Sequence, residues 1–165
     1  MRILGIDTSL RSTGVGLVER QGSGWRLVEA VTLSIPASRP LSHCLCEIDC
    51  GLSAFIQAHR PDVAAVEGIF YCRNVKTAVT LGEARGVVIA ACARAGLSVF
   101  EYPPRRVKQA VVGYGDAEKD QVARMVMRLL GLAETPQEDS ADALAVAICH
   151  GNSSTSIAAL APKPI

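Results

Sequence analysis

Residues Arg2-Ile3-Leu4-Gly5-Ile6-Asp7-Thr8-Ser9 form a short apolar run that stops abruptly at a carboxylate. The run is too short for a helix and its apolar residues suit a buried strand, so it predicts a central strand with Asp7 at its carboxyl end. Ligands of open α/β sheets collect at that end of the central strands, which makes Asp7 a candidate site residue. An isolated Asp in this position could equally be a turn former. The choice between the two depends on whether other acids reach the same place.

A chain of 165 residues is expected to form one domain, residues 1–150, followed by a Ser-, Thr-, Ala- and Pro-containing flexible tail over 151–165. Apolar residues make up 49% and aromatics 4%, which predicts a core of Val, Leu, Ile and Ala supplied by alternating strands and helices. The formal charge of +1 excludes a basic bias of the whole chain, so nucleic-acid binding would need a local cluster. Between Arg85 and Lys108 the residues Arg85, Arg94, Arg105, Arg106 and Lys108 stand against Glu101 alone, a modest patch. Cys44, Cys46, Cys50, Cys72, Cys92 and Cys149 read as reduced and mostly buried thiols. The first three lack zinc-site spacing and, at i, i+2 and i+6, are not expected to share a helix face. Asp7 interrupts the N-terminal apolar run, so no signal peptide is expected, and no run reaches the ~18 apolar residues of a membrane span. The expected location is the cytoplasm.

Further along, Thr13 to Glu19 is extended and apolar, Gln21-Gly22-Ser23-Gly24 is a hairpin turn, and Trp25 to Ile35 alternates in part, with Trp25, Leu27, Val31 and Leu33 favouring one face. These strands are expected to make an antiparallel meander. Pro40 opens a helix to about His59, with His43 and His59 as structural or surface residues. Pro61 to Gly68 is a second short run ending in an acid, Glu67, and a right-handed crossover makes it parallel to the first strand. Asp7 and Glu67 should therefore lie side by side. Val75 to Ala95 reads as a helix apolar on more than one face, buried on two sides. Leu97 to Tyr102 is a fifth strand, Pro104 to Val111 a short helix, and a further helix starts at Asp116 or Ala117 and ends at Leu130. Thr135-Pro136-Gln137-Glu138 has the form of a capping box, predicting a last helix from about Pro136 that Gly151 closes. Asp139 and Asp142, three positions apart, leave the same side of its first turns.

Bringing Asp7, Glu67, Asp139 and Asp142 together without a counter-charge is unfavourable, because neighbouring carboxylates resist ionisation. Divalent cations resolve that conflict. Mg²⁺ and Mn²⁺ favour hard oxygen ligands and keep positions open for phosphate, and a pair of them can activate water for in-line displacement at phosphorus. The chemistry pointed to is phosphodiester hydrolysis.

At this level the residues resemble the RuvC-type Holliday junction resolvases of the ribonuclease H-like superfamily. The resemblance rests on Gly5-Ile6-Asp7 with Thr13-Gly14, on Glu67 with Phe70, Arg73 and Asn74, and on Leu81 to Val87. It continues through Val107 to Gly113, Lys119-Asp120-Gln121-Val122 and Asp139 to Ala145. It implies an α/β fold with a five-stranded mixed sheet flanked by helices on both faces. It also implies a homodimeric, Mg²⁺-dependent endonuclease, Mn²⁺ serving as an alternative and two ions filling each site, that nicks four-way junction DNA symmetrically in recombination and repair. Asp7, Glu67, Asp139 and Asp142 match its catalytic, metal-binding acids; Lys108 and Lys119 match basic residues near DNA, and Phe70 matches an aromatic associated with junction opening. Arg73, Lys76, Arg105 and Arg106 are further candidates for the DNA backbone. The resemblance also makes the Val75 to Ala95 helix the dimer element and admits a branch-migration motor complex as a partner. Thr8-Ser9 departs from the family's common Pro-Gly, and His150 is assigned no metal role.

Two other readings share much of this pattern. A related nuclease acting on RNA–DNA hybrids would use the same acids without requiring a four-way branch. A branched-DNA-binding protein without cleavage would keep the surface and lose the chemistry. A small ATP-binding member of the wider fold lacks a persuasive phosphate loop.

Overall fold

Strand β1 (Arg2–Asp7) has no free edge: β2 (Ser12–Gln21) pairs with it antiparallel and β4 (Val63–Glu67) pairs with it parallel. Neighbours on both edges put it at the sheet centre, where helices cover both faces, which is why the run is apolar without alternation. Adding β3 (Gly24–Ser34) outside β2 and β5 (Ser98–Tyr102) outside β4 gives a five-stranded mixed sheet in the order β3-β2-β1-β4-β5. The computed structural model describes residues 1–68, 74–153 and 162–165, and Phe70, Cys72 and Arg73 lie outside them. The antiparallel meander and the parallel crossover through α1 (Leu41–His59) stand as expected. Among the described residues no helix is long and apolar enough to cross a membrane.

Side-chain parity divides the core into two layers. Leu4, Ile6, Val15 and Leu17 point toward α1 and α2 (Val75–Arg94), where they meet Ile48, Leu52, Ala84 and Val88. Ile3, Val18, Ala65 and Tyr102 point the other way, toward α3 (Pro104–Val112), α4 (Lys119–Leu130) and α5 (Glu138–Asn152). Helices therefore cover both faces. α5 lies across the sheet centre and is the most buried helix, with Ala143 to His150 all removed from solvent. It approaches closely because the strands beneath it lack side chains at two points. A Cβ on Gly5 would stand 2.0 Å from the Ala143 carbonyl oxygen, and one on Gly14 would stand 1.9 Å from that of Asp139.

Several local expectations need correction. Trp25, Leu27, Val31 and Leu33 do not share a face, because the β2–β3 register shifts between Leu17 and Val18. Leu17 opposes Glu29 while Val18 opposes Leu27, so Val28 is an extra residue that reverses the alternation after it. Trp25 and Leu27 consequently pack on the α5 side, Val31 and Leu33 on the α1 side. The capping box at Thr135 does not form: α5 begins at Glu138 after Gln137, and the Thr135 hydroxyl donates to Met127 Sδ at 3.6 Å. Docking of the helix start over Gly14 outweighs the local cap. α4 begins at Lys119, not at Asp116 or Ala117, with the Glu118 amide donating to Gln121 Oε1 at 2.9 Å. Gly151 does not end α5, which runs to Asn152; its missing side chain admits the Trp25 ring, since a Cβ there would be 2.1 Å from Trp25 Cη2.

The thiols and basic residues also redistribute. Cys44, Cys92 and Cys149 are buried, but Cys46 and Cys50 are exposed and do share a face of α1, at i and i+4, with sulfurs 4.0 Å apart. Arg94 pairs with Asp49 of α1, and Arg85 pairs with Glu101 while donating to the Glu67 carbonyl oxygen at 2.8 Å. The run from Arg85 to Lys108 is thus not one patch: Arg85 and Arg94 belong to α2 and are paired with acids, while Arg105, Arg106 and Lys108 share α3.

Gly5→Ala is expected to be costly because its Cβ meets helix backbone, which cannot swing aside. Overpacking of this kind costs about 1 to 3 kcal/mol or more, lowering Tm by roughly 2 to 10 °C in a domain of this size. Gly24→Ala, whose Cβ would meet only ordinary contact at 3.8 Å, should melt close to wild type by circular dichroism.

Candidate active site

The acids meet because strand parity and helix register agree. Asp7 and Glu67 have the same parity as Ile3, Gly5, Val63 and Ala65, so both point to the α5 side. The pairing of Ile6 with Val66 sets them next to each other at the carboxyl edge of adjacent parallel strands. Gly14, opposite Asp7 on β2, lets the first turn of α5 come down over that edge. Asp7, Glu67 and Asp142 then line one cavity of about 380 Å³, together with Lys108 of α3 and Lys119 of α4.

Asp139 sits half-buried at the α5 start and turns toward β2, its Oδ2 accepting a hydrogen bond from the Ser12 hydroxyl. Lys119 Nζ donates to Glu138 at 2.7 Å and stands 3.5 Å from Asp142 Oδ2. Lys108 is half-buried at the cavity, whereas Lys76 at the start of α2 and Arg105 on α3 are exposed and do not line it. Phe70 and Arg73 follow Glu67 in the chain and lie outside the described residues. The turn carrying Thr8-Ser9 is held by Thr13, whose hydroxyl donates to the Ser9 carbonyl oxygen while accepting from the Ser9 amide. His150 takes no part: it is buried on the far turns of α5, with Nδ1 2.9 Å from the Tyr102 hydroxyl.

Burial and like charge both resist ionisation of the cluster. Burial first, then Asp142 and Asp139, push the Asp7 carboxyl up to about 6, against the opposing pull of Lys119. Glu67 is pushed up to about 7 by burial and then by Asp7 and Asp142, with Lys119 and Lys108 opposing. Asp142 is raised by burial despite Lys119 beside it. The Lys119 ammonium is held well above its usual range, chiefly by its hydrogen bond to Glu138. Three partly desolvated carboxylates with two cations nearby are an incompletely neutralised site.

That donor set fits a hard divalent cation. As they stand the acids line the cavity without closing on a point: among the described residues no three Asp, Glu, His or Cys side chains form a preformed cage. Mg²⁺ asks for none, because it keeps several waters and is held by one or two carboxylates together with substrate phosphate. The start of α5 adds a positive helix end at the same rim.

Three supporting residues were not singled out for the site by sequence reasoning. Ser12 orients Asp139, but a hydroxyl 127 positions away carries no local signal. Glu138 looked like the partner of a Thr135 cap, and its role beside Lys119 emerges only from the packing of α4 on α5. Arg85, counted with a basic patch, instead ties the end of β4 to Glu101 of β5.

Stability should carry the signature of these shifts. Carboxyls raised to about 6 and 7 keep protons in the folded chain that the unfolded chain releases near its ordinary values of 3.8 and 4.5. Their stabilising contribution is present below the unfolded values and is lost as pH rises toward 7. In chelator, Tm of wild type minus Tm of Glu67→Gln is therefore expected to fall across that window. A difference that rises with pH would contradict the site electrostatics.

Comparison with known proteins agrees with this architecture. The profile of the family described as crossover junction endodeoxyribonuclease RuvC matches residues 3–150. The crossover junction endodeoxyribonuclease RuvC of Chloroflexus aggregans is 51% identical over 151 residues, covering 91% of this chain and 92% of that protein. The protein of the same name from Caldicellulosiruptor saccharolyticus is 45% identical over 159 residues, covering 95% and 96%. Among solved structures, T. thermophilus RuvC in complex with Holliday junction substrate superposes with a TM-score of 0.91 at 34% identity, covering 100% of this chain and 99% of that one. The yeast mitochondrial Holliday junction resolvase shares the fold at a TM-score of 0.65 and 12% identity, over 89% and 76% of the two chains. The matched segment takes in all five strands, short only of Arg2, and all four acids, and the chain belongs to the RuvC crossover junction endodeoxyribonuclease family, with its ribonuclease H-like fold.

Proposed function

We propose that this protein resolves four-way DNA junctions in recombination and repair, hydrolysing two phosphodiester bonds symmetrically placed about the branch. The observation that carries the reading is the convergence of Asp7, Glu67 and Asp142 on one cavity with Lys108 and Lys119 at its walls. A protein that resembles it along its full length, T. thermophilus RuvC, was solved in complex with Holliday junction substrate.

Asp7, Glu67 and Asp142 would hold Mg²⁺, or Mn²⁺ in its place, with Asp139 completing the set for a second ion. Such a pair supplies activation of the attacking water and charge neutralisation at the leaving oxygen. The remaining work falls to the chain itself. Burial keeps the acids partly protonated without a cation, so they favour occupation by positive charge. Lys108 and Lys119 attract the scissile phosphate and hold it over the acids, and Ser12 fixes the Asp139 carboxylate at the α5 start. Lys76, Arg73 and Arg105 are assigned to backbone phosphates farther out, and Phe70 to stacking at the strand exchange.

We assign the homodimer contact to the outer side of α2. Val75 and Val79 are 77% and 55% exposed, and the Cβ positions of Gly82 and Gly86 are open, so a second helix can approach. A two-fold dimer presents equivalent sites to two strands of a nearly two-fold junction. Residues 1–150 form the nuclease domain in this reading. The cytoplasm is its location, and a branch-migration motor complex is the partner that would deliver junctions to it.

The deciding experiment is cleavage of a labelled mobile four-way junction beside linear duplex and RNA–DNA hybrid, with Mg²⁺ and then with chelator. Paired, metal-dependent nicks confined to the junction are expected; hybrid cutting with an untouched junction would overturn the substrate. Asp7→Asn should retain junction binding in a gel-shift assay while cutting falls by about 100-fold or more, the scale of a lost transition-state stabiliser. Lys108→Met should reduce the slope of log affinity against log salt by about one phosphate contact.

A further inference from the structure

Beside the acid cavity lies a second hollow, of about 800 Å³, between α3 and the turn that leads to α4. The two share Pro104 and Lys108, so the hollow opens along the path of any strand that reaches the acids. Its wall carries Arg105, Arg106 and Lys108 against the single acid Asp116.

The turn is built for this shape. Gly113 ends α3 with φ of 88°, a left-handed conformation that redirects the chain and leaves the next residue, Tyr114, 60% exposed. Gly115 then lies flat against Arg105: a Cβ there would be 2.6 Å from Arg105 Cγ and 3.3 Å from its carbonyl oxygen. Asp116 accepts a hydrogen bond from Arg105 Nη2 at 3.1 Å. One glycine turns the chain, the next admits Arg105, and the acid holds the guanidinium in place. An exposed aromatic ring and a net excess of cations line a space of the size that takes a small organic ligand.

We propose that this hollow receives an unpaired nucleotide of the DNA strand running past the acids. The base stacks on Tyr114 and the flanking phosphates lie against Arg105 and Arg106. This deepens the junction-cleavage reading and rests on it for the DNA substrate. Stacking on an aromatic side chain is tolerant of sequence because every base has a π face, whereas a duplex held only by phosphates would need the cations and not the ring. The ring is therefore what separates an unpaired nucleotide from a simple duplex track.

The test uses full-length protein and four-way junctions carrying the fluorescent base analogue 2-aminopurine at successive positions around the branch, in chelator. Wild type is expected to quench the analogue at one position. Tyr114→Ala should abolish that quench and weaken junction binding by about 5- to 100-fold, as loss of one stacked base implies. Tyr114→Phe should keep both, since it keeps the ring. Absence of quench at every position, or Tyr114→Ala binding within twofold of wild type with its quench intact, would overturn the nucleotide site. A Tyr114-dependent quench in a wild-type protein that does not nick junctions with Mg²⁺ would leave the nucleotide site standing and overturn the resolvase reading.

Discussion

The seating of α5 on the centre of the sheet is the contact on which the rest of this structure depends. It needs strands with no side chain under the helix, and Gly5 and Gly14 provide two such places, with helix backbone within 2.0 Å and 1.9 Å of where a Cβ would stand. Close approach of that kind couples the backbone of the helix to that of the strands, so the position of Asp142 is tied to that of Asp7. A helix held a few ångströms higher by alanine would still be amphipathic and still be buried. It would no longer deliver its carboxylates to the sheet edge, and the site would be lost before the fold was.

The site trades stability for charge placement. Asp7, Glu67 and Asp142 would each ionise more readily if exposed, and all three are held above their ordinary range by burial first and then by neighbouring carboxylates, Glu138 and Asp139 in the case of Asp142. Lys119 eases this without removing it, because it is shared with Glu138 at 2.7 Å and stands farther from Asp142, at 3.5 Å. Pairs as exposed as Lys119 and Glu138 contribute little to folding. What their geometry does is keep an ammonium at the wall of an acidic cavity, where the proposed reaction would bring a phosphate. The same logic places Lys108 on α3, on the wall between the acid cavity and the basic hollow.

The two faces of the sheet divide the labour. The α5 side carries the acids, the lysines and the hollow beside them. The α1–α2 side is a packed apolar layer whose outermost helix leaves Val75 and Val79 to solvent. Arg85 links the two across the sheet edge, reaching from α2 to the Glu67 carbonyl oxygen and to Glu101. A surface on α2 used for pairing two copies, as proposed, would thus be mechanically continuous with the strand end that bears Glu67.

Much of this was legible in the chain itself. Short apolar runs ending in Asp7 and Glu67 announce two buried strands and their carboxyl ends, and the helical run between them forces those strands parallel. Asp139 and Asp142 at i and i+3 announce a shared helix face. What the sequence could not show is long-range: that Val28 bulges and reverses the facing of β3, that Thr135 leaves its apparent cap, that Ser12 holds Asp139, and that Cys46 and Cys50 lie on the surface. Local pattern determines which residues can form an element and which face is apolar, because those energies arise within a few residues of one another. Register, helix start and hydrogen-bond partner were decided by the tertiary structure, because docking α5 over Gly5 and Gly14 brings backbone groups into contact across more than a hundred positions and outweighs the smaller preferences of any single turn.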